Sequence, residues 1–132
     1  MKKTIFIVED HELMRDLWKT IYAAKGDLEV VGGSGEAEEA MNLIEKLQPD
    51  IISLDINLGM VTGFELVPRI QKCSPHSKIV VLSMHVQQNF LKEMVHLGVH
   101  GYVTKSSSHF EVFKAIDEVL AGRTYVCSEM QS

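Results

Sequence analysis

Three carboxylic acids and two further polar residues have the types and positions needed for chemistry at a bound cation. Glu9 and Asp10 follow an apolar run near the start of the chain, and Asp55 follows another such run. Ser83 ends a later apolar run, and Lys105 follows the last one. Carboxylates that converge repel one another and resist burial unless a cation lies between them or their pKa values rise. A hard divalent cation is the simplest way to bring these acids together.

Magnesium suits this set of ligands and leaves room for a reaction at Asp55. It prefers oxygen ligands in octahedral geometry, binds few carboxylates, and keeps other positions for water and phosphate oxygens. A carboxylate is a weak nucleophile, but the cation can neutralise an incoming phosphoryl group. Lys105 can then pair with the phosphoryl oxygens, and the Ser83 hydroxyl can donate a hydrogen bond. The product at Asp55 would be an acyl phosphate.

The elements that must position these residues form a regular alternation of strands and helices. Short apolar runs of strand length alternate five times with amphipathic stretches of helix length. The predicted strands are Thr4–Val8, Leu28–Val31, Ile51–Leu54, Ile79–Ser83 and Tyr102–Thr104. They are rich in Ile and Val and lack a clean polar alternation, as strands buried on both faces do. Short connections force parallel strands and right-handed crossovers, so the sequence predicts an α/β fold with a doubly wound, five-stranded parallel sheet.

Apolar stripes along the intervening segments predict helices that pack on this sheet. The first stripe consists of Leu13, Leu17, Ile21 and Ala24, which we expect in the core. In a doubly wound sheet, sites form at the carboxyl ends of the strands. Four of the five predicted strands therefore deliver a polar side chain to the same edge.

Composition limits the classes of function. The chain of 132 residues is long enough for one domain with its own core. With 13 basic and 18 acidic side chains, the net charge of -5 disfavours nonspecific attraction to nucleic acid or anionic lipid. No apolar run is long enough to span a bilayer, so we expect a cytoplasmic protein. Cys73 and Cys127 lack a paired spacing and are expected to be free thiols.

The polar residues at the predicted edge lie in motifs that together resemble response-regulator receiver domains. The matching motifs are Ile7-Val8-Glu9-Asp10-His11, Leu54-Asp55 with Gly63 eight positions on, Val81-Leu82-Ser83 and Gly101-Tyr102-Val103-Thr104-Lys105. The resemblance extends from Lys3 to about Val126. It implies the flavodoxin-like strand order 2-1-3-4-5 and a phosphorylation-dependent switch of a two-component system.

The resemblance also implies a role for each site residue. The implied Mg2+ ligands are Glu9, Asp10, Asp55 and the backbone carbonyl of Asn57. Asp55 would be phosphorylated by a sensor histidine kinase, in a reaction that the domain itself assists through Ser83 and Lys105. Such a domain is a phosphoacceptor that also catalyses its own dephosphorylation, and not an enzyme with a separate substrate.

The implied output is a change at a distant surface. Ser83 and Tyr102 would be the switch residues, and the face built by the fourth helix, fifth strand and fifth helix would carry the signal. The run from Glu9 to Arg15, together with Val119-Leu120-Ala121-Gly122 and Tyr125, is most similar to receivers of the NarL/FixJ (LuxR-type) class. The resemblance thus implies control of a transcription regulator and formation of a homodimer on phosphorylation.

Members of that class usually carry a C-terminal helix-turn-helix domain. We predict a receiver domain over residues 1–122, and a tail or the start of a linker to an effector domain over residues 123–132. No helix-turn-helix pattern lies in this chain, so DNA would be contacted only through such a further domain, and no membrane contact is expected.

Two residues depart from the pattern of the family. Gly59 stands where proline is common four positions after the aspartate, and glycine predicts a more mobile loop beside Asp55. Ser106 stands where many receivers have a cis proline after the lysine. A cis bond before serine would cost roughly 2.5–4 kcal/mol, so we expect either a trans bond or a strained exception, and an altered approach of Lys105.

Other interpretations of these residues remain open at this stage. Taken singly, Glu9 and Asp10 also suit a solvated loop or a helix start. A magnesium-dependent phosphohydrolase would also use an aspartate nucleophile, but it expects a second aspartate where Asn57 stands. A degenerate receiver that works by protein contact alone is a third interpretation. His85 lies two positions beyond Ser83, where it could modulate hydrolysis, and we interpret the run from Gly32 to Gly35 as a flexible connection.

Overall fold

Strands and helices alternate along the chain. The structure, a computed structural model, describes residues 2–55, 57–58, 61–83, 88–104 and 108–127. The strands are β1 (Lys3–Val8), β2 (Leu28–Ser34), β3 (Ile51–Asp55), β4 (Asn57–Leu58), β5 (Val61–Thr62), β6 (Lys78–Ser83), β7 (Gly101–Thr104) and β8 (Tyr125–Val126). The helices are α1 (Glu12–Ala24), α2 (Ala37–Leu47), α3 (Gly63–Cys73), α4 (Gln88–Leu97) and α5 (His109–Leu120).

The central sheet confirms the predicted doubly wound α/β fold. Its strands pair in parallel in the order β2-β1-β3-β6-β7-β8. The five predicted strands are β1, β2, β3, β6 and β7, and they lie in the order 2-1-3-4-5 that the resemblance implied. A separate antiparallel pair, β4 and β5, follows β3. The strand ends named above therefore meet at one edge of the sheet.

The sixth strand, β8, extends the sheet beyond what the sequence pattern indicated. It lies within the stretch that we assigned to a tail or linker. The amide of Tyr125 donates to the carbonyl oxygen of His100 at 2.9 Å, and the amide of Cys127 donates to that of Tyr102 at 3.0 Å. Cys127 is buried beside it. Cys73 and Cys127 are both free thiols, as predicted.

Helix α1 buries a different face from the one predicted. Leu13 is 83% exposed, Leu17 is 50% exposed and Ala24 is also exposed, so their assignment to the core was wrong. The core instead receives Trp18 and Tyr22, whose rings stack with centroids 5.2 Å apart. The Tyr22 hydroxyl also meets the buried Ser53 hydroxyl of β3 at 2.7 Å, which satisfies both groups. Burial of two large aromatic rings and this hydrogen bond outweigh the burial of two leucines.

Ion pairs connect neighbouring helices on each face of the sheet. Lys25 at the end of α1 pairs with Asp117 of α5 at 2.6 Å. On the other face, Arg69 of α3 pairs with Glu38 of α2 at 2.8 Å. Within the described ranges, no helix has the length and apolar character required to cross a membrane.

Candidate functional site

The three predicted acids lie together at the carboxyl edge of β1 and β3. These strands are neighbours, and their register places Val8 opposite Leu54. Glu9 and Asp10 directly follow β1, while Asp55 is the last residue of β3. One carboxylate oxygen from each of the three acids lies within 4.8 Å of the others. The sheet topology thus builds a three-carboxylate cluster of the kind that a hard cation prefers.

Burial makes this cluster electrostatically demanding. Glu9 and Asp55 are each 3% exposed, whereas Asp10 is exposed. Charges held close together in a poorly solvated site repel strongly because water no longer screens them. A divalent cation that binds between the oxygens would remove that repulsion. Glu9, Asp10 and Asp55 therefore fit Mg2+ in charge, in donor atom and in spacing.

The backbone around Glu9 is fixed by three hydrogen bonds. Its amide donates to the carbonyl oxygen of Ser34 at 3.0 Å, which continues the pairing of β1 with β2. Its side-chain Oε2 accepts from the amide of His11 at 3.2 Å. Its carbonyl oxygen accepts from Nη1 of Arg15 at 2.8 Å. The turn that presents Glu9 and Asp10 is therefore held from both sides.

Two buried hydroxyl groups stand at the ends of the neighbouring strands. Ser83 ends β6 and Thr104 ends β7, and the two residues are opposite each other in the parallel register. Ser83 is 3% exposed and Thr104 is fully buried. The preceding residue, Leu82, pairs with Asp55 of β3. Ser83 is thus one strand away from the acid cluster at the same edge, as predicted.

Tyr102 lies on β7 with its side chain turned into the protein. The residue is 2% exposed. Burial raises the pKa of its phenol, and the nearby Ser83 hydroxyl opposes that shift. The phenolic oxygen nevertheless makes no hydrogen bond within the described part of the chain. A buried donor in this condition favours any change that supplies it with an acceptor.

Comparison with known proteins assigns this arrangement to a family. Residues 5–117 match the sequence pattern of the family described as response regulator receiver domain. The chain belongs to this family. A crystal structure of a LuxR-family two-component response regulator from Aurantimonas sp. SI85-9A1 matches 98% of this receiver domain and 93% of that chain, with a TM-score of 0.93 and 29% identity.

Curated relatives place the receiver domain in the NarL/FixJ class. It is 33% identical over 125 residues to the transcriptional regulatory protein DegU of Brevibacillus brevis. The aligned residues cover 95% of this chain and 53% of the relative. It is 29% identical over 119 residues to the nitrate/nitrite response regulator protein NarL of Escherichia coli K12. That alignment covers 90% of this chain and 55% of the relative. The receiver domain thus spans about half the length of these curated relatives.

Some predicted positions of the receiver domain lie outside the described residues. These are Gly59, His85, Lys105 and Ser106. The predictions of a mobile loop, of a modulating histidine, of a phosphate-pairing lysine and of a trans peptide bond therefore stay predictions. Asn57 begins β4 and pairs with Thr62 of β5, and the role of its carbonyl as a metal ligand also stays a prediction.

Two residues at the edge were missed by sequence reasoning. Thr104 appeared in the quoted motif without a role, although its position opposite Ser83 follows from the strand order. Arg15 was used only as part of the run that is similar to receivers of the NarL/FixJ class, and it was given no role in the site. A signal was present, because a cation near the start of a helix opposes the helix dipole and so requires a local partner. That partner is the Glu9 carbonyl.

Proposed function

We propose that this receiver domain is a Mg2+-dependent phosphoacceptor switch in which Asp55 takes a phosphoryl group from a sensor histidine kinase. The observation that carries the proposal is the convergence of Glu9, Asp10 and Asp55 within 4.8 Å at one edge of the sheet. Ser83, buried at the end of the next strand, adds a hydroxyl donor on the Asp55 side. A cluster of buried acids without a cation would be destabilising, so its presence favours a site that binds one.

Within this proposal, Mg2+ is held by Glu9, Asp10, Asp55 and the backbone carbonyl of Asn57. When bound, the cation neutralises charge on the carboxylates and on the incoming phosphoryl oxygens. The backbone of Glu9 is held on both sides, because its amide and its carbonyl oxygen are both hydrogen-bonded. Asp10 is the most exposed of the three acids and faces the solvent from which the cation arrives.

The proposed transfer is a displacement at phosphorus. An oxygen of the Asp55 carboxylate attacks the phosphorus of a phosphohistidine, and the phosphorus–nitrogen bond breaks. Its electron pair stays on the imidazole, which takes up a proton and leaves as neutral histidine. Lys105 pairs with the phosphoryl oxygens, and Ser83 donates its hydroxyl hydrogen to one of them. Attack by water on the same phosphorus later releases orthophosphate and restores the Asp55 carboxylate.

The proposed switch acts through Ser83 and Tyr102. Drawing the Ser83 hydroxyl towards the new phosphoryl group changes the surroundings of the buried Tyr102 phenol, which lacks a hydrogen-bond partner among the described residues. The signal then reaches the face formed by α4, β7 and α5. To move a population from about 1:99 to 99:1, phosphorylation must favour the active state by roughly 5.5 kcal/mol. A few charge-assisted hydrogen bonds supply a stabilisation of that order.

The partners belong to the same proposal. The relatives DegU and NarL are named as a transcriptional regulatory protein and a response regulator, and the receiver domain matches about half of each. We propose that it controls a transcription regulator, that it forms a homodimer on phosphorylation, and that DNA is reached only through a helix-turn-helix domain. The cytoplasmic location inferred from the sequence stays a prediction.

The test is phosphorylation by a small donor. Incubation with acetyl phosphate and Mg2+ should add the mass of one phosphoryl group to the intact protein, and EDTA should prevent the addition. Asp55→Asn should abolish it, whereas Asp16→Asn, which changes an exposed aspartate on α1, should not. A phosphoryl mass that persists in Asp55→Asn would remove that residue from its role. Sustained turnover of added phosphomonoesters would instead support the phosphohydrolase interpretation.

A further inference from the structure

The glycine-rich end of β2 lies against the side chain of Arg15. A Cβ atom built on Gly35 would stand 2.7 Å from Nη1 of Arg15, 3.0 Å from Cα of Asp10 and 3.1 Å from the Glu9 carbonyl oxygen. A Cβ atom on Gly33 would meet Cδ of Arg15 at 3.4 Å and the Ile7 carbonyl oxygen at 3.1 Å. A Cβ atom at position 35 would therefore require the guanidinium to move, and it would also lie very close to the backbone of Asp10 and Glu9.

The direction of the arginine follows from its place in α1. Arg15 is the fourth residue of the helix, and helical side chains lean towards the N-terminus. Its guanidinium therefore reaches back over the β1–α1 turn, where Nη1 donates to the Glu9 carbonyl oxygen at 2.8 Å. The partner is a backbone oxygen two residues before the helix cap His11. The contact thus fixes the peptide that joins the two acids of the cluster.

We propose that Arg15 is a positioning residue for the acid pair. Its guanidinium, admitted by the absence of side chains at Gly33 and Gly35, holds the Glu9 carbonyl and so sets where the Glu9 and Asp10 carboxylates meet a divalent cation. This role rests on the proposed magnesium site. It replaces the earlier interpretation of the glycine run as a flexible connection, because the glycines make room for a specific side chain.

Two effects of Arg15 oppose each other, and they predict opposite outcomes for its removal. As a positive charge near the cluster, Arg15 repels a cation, so its removal would tighten Mg2+ binding. As a positioning residue, it orders the ligands, so its removal would weaken binding. Outer groups that orient metal ligands typically contribute about 10-fold to 100-fold in metal affinity. Arg15→Met should therefore weaken Mg2+ binding by roughly 10-fold.

The experiment compares four single variants and one double variant of the whole chain. Mg2+ affinity is measured by calorimetric titration, and exchange of the His11 amide is measured by NMR without metal. Arg15→Met and Gly35→Ala should each weaken Mg2+ binding and accelerate that exchange, because this amide is held by Oε2 of Glu9 at 3.2 Å. Lys19→Met removes a charge one turn further along α1 and should change neither readout.

A second control addresses the glycine. Gly32→Ala places a Cβ atom 3.1 Å from the Phe6 ring, away from Arg15, and should leave the His11 amide unchanged even if it lowers stability. The loss of Mg2+ affinity caused by Gly35→Ala should be smaller in the Arg15→Met background than in the wild-type background, because only the contacts of the new Cβ atom with the backbone of Asp10 and Glu9 remain once the guanidinium is absent. Equal losses from Gly35→Ala in both backgrounds would overturn the proposal.

The outcomes separate this inference from the proposed function. If the wild-type protein binds no Mg2+ but Arg15→Met still accelerates exchange at His11, the magnesium site fails and the positioning of the acid pair by Arg15 is supported. If Arg15→Met binds Mg2+ as tightly as the wild-type protein, or more tightly, with unchanged exchange at His11, the positioning role is refuted while the magnesium site stands.

Discussion

His100 directly precedes β7 and is hydrogen-bonded to both β6 and β8, and the bond at its imidazole should make stability depend on pH. Its amide donates to the carbonyl oxygen of Ile79 at 3.0 Å, and its own carbonyl oxygen accepts from Tyr125 at 2.9 Å. The imidazole Nδ1 accepts from the amide of Ile79 at 3.0 Å. Nδ1 can accept only while it carries no proton. The bond between the ring and β6 therefore requires neutral His100.

The direction of the pH effect follows from the surroundings of the ring. Burial, assisted by the nearby Lys78, lowers the pKa of His100 from its ordinary value of 6.5. The unfolded chain therefore takes up a proton before the folded protein does as the pH falls. The contribution of His100 is complete above the pKa of the unfolded chain. It is lost progressively as the pH falls from there through the lower pKa of the folded protein.

His100→Asn separates the hydrogen bond from the titration. Asparagine offers Oδ1 as an acceptor near the place of Nδ1 but does not titrate. A net hydrogen bond of this kind contributes about 0.5–1.5 kcal/mol, and because the residue is only partly buried, water can replace the bond, which places the value near the lower end. With a urea m-value of roughly 1–3 kcal/mol/M, the wild-type midpoint should fall by about 0.2–0.5 M on acidification below the ordinary histidine pKa.

Urea unfolding of both proteins across that pH range measures the difference. The His100→Asn protein should lose less stability on acidification than the wild-type protein. His96→Asn, which changes an exposed histidine on α4, should follow the wild-type protein. If His100→Asn and the wild-type protein lose stability in parallel, the imidazole bond to Ile79 does not control the pH dependence.

Three further predictions concern the core and the site. Tyr22→Phe should lower the free energy of unfolding by about 1–3 kcal/mol, measured in urea, because it leaves the buried Ser53 hydroxyl without its partner at 2.7 Å. Tyr102→Phe should leave the free energy of unfolding unchanged or raise it by about 1 kcal/mol, since the phenol it removes makes no hydrogen bond in the described part of the chain. Mg2+ at about 100 times its dissociation constant should stabilise the wild-type protein by about 2.7 kcal/mol in thermal unfolding, and Asp10→Asn should abolish most of that gain.

The order of the five predicted strands was predictable because each of them has a strong local signal. β3 is buried at all five positions, and its Ile-rich run carries no polar alternation. Right-handed crossovers then leave few topologies, and the family motifs select among them. β8 gave no such signal, since a two-residue strand depends on tertiary pairing with β7 and not on its own sequence. Short edge strands of this kind cannot be predicted from local sequence patterns.

The error in α1 has a definite physical origin. Leu13 and Leu17 are four positions apart, and so are Met14 and Trp18 and, one turn further, Tyr22. Helical spacing therefore permits two adjacent stripes, and periodicity alone does not select between them. The stripe with the two aromatic rings buries more apolar surface and supplies a hydroxyl to Ser53. The leucine stripe remains exposed as a result.

The site also has one part that the sequence could predict and another part that depends on tertiary packing. Glu9, Asp10 and Asp55 could be predicted to meet because strand ends in a parallel sheet share an edge, and the 4.8 Å cluster confirms that they do. The sequence indicated that Arg15 needs a local partner, but it did not identify the Glu9 carbonyl as that partner, because the contact depends on the space left at Gly35. A glycine in a sequence indicates backbone freedom or close approach, and only the packed structure shows which one applies.

Truncation of the chain tests whether the receiver domain ends at residue 122. A chain that stops after Gly122 loses β8 and its two backbone hydrogen bonds to His100 and Tyr102. It also loses the bond from the Tyr125 hydroxyl to Oε2 of Glu111 on α5, at 2.7 Å. Burial, together with the Glu111 carboxylate, raises the pKa of Tyr125 to about 12, so this phenol stays a donor at neutral pH.

Three hydrogen bonds at about 1 kcal/mol each predict a loss of at least about 3 kcal/mol in the free energy of unfolding, a large part of the roughly 5–15 kcal/mol typical of a domain. The shorter chain also loses the backbone bond and the ion pair of Arg123 with Glu118, which add to that loss. A chain that stops after Cys127 keeps all three bonds and should unfold at the same urea concentration as the whole chain. If both truncated chains unfold at the same urea concentration as the whole chain, the receiver domain ends at residue 122 as the sequence predicted. If only the shorter one is destabilised, residues 123–127 belong to the receiver fold, because the edge of β7 then depends on Tyr125 and Cys127 for its hydrogen-bond partners.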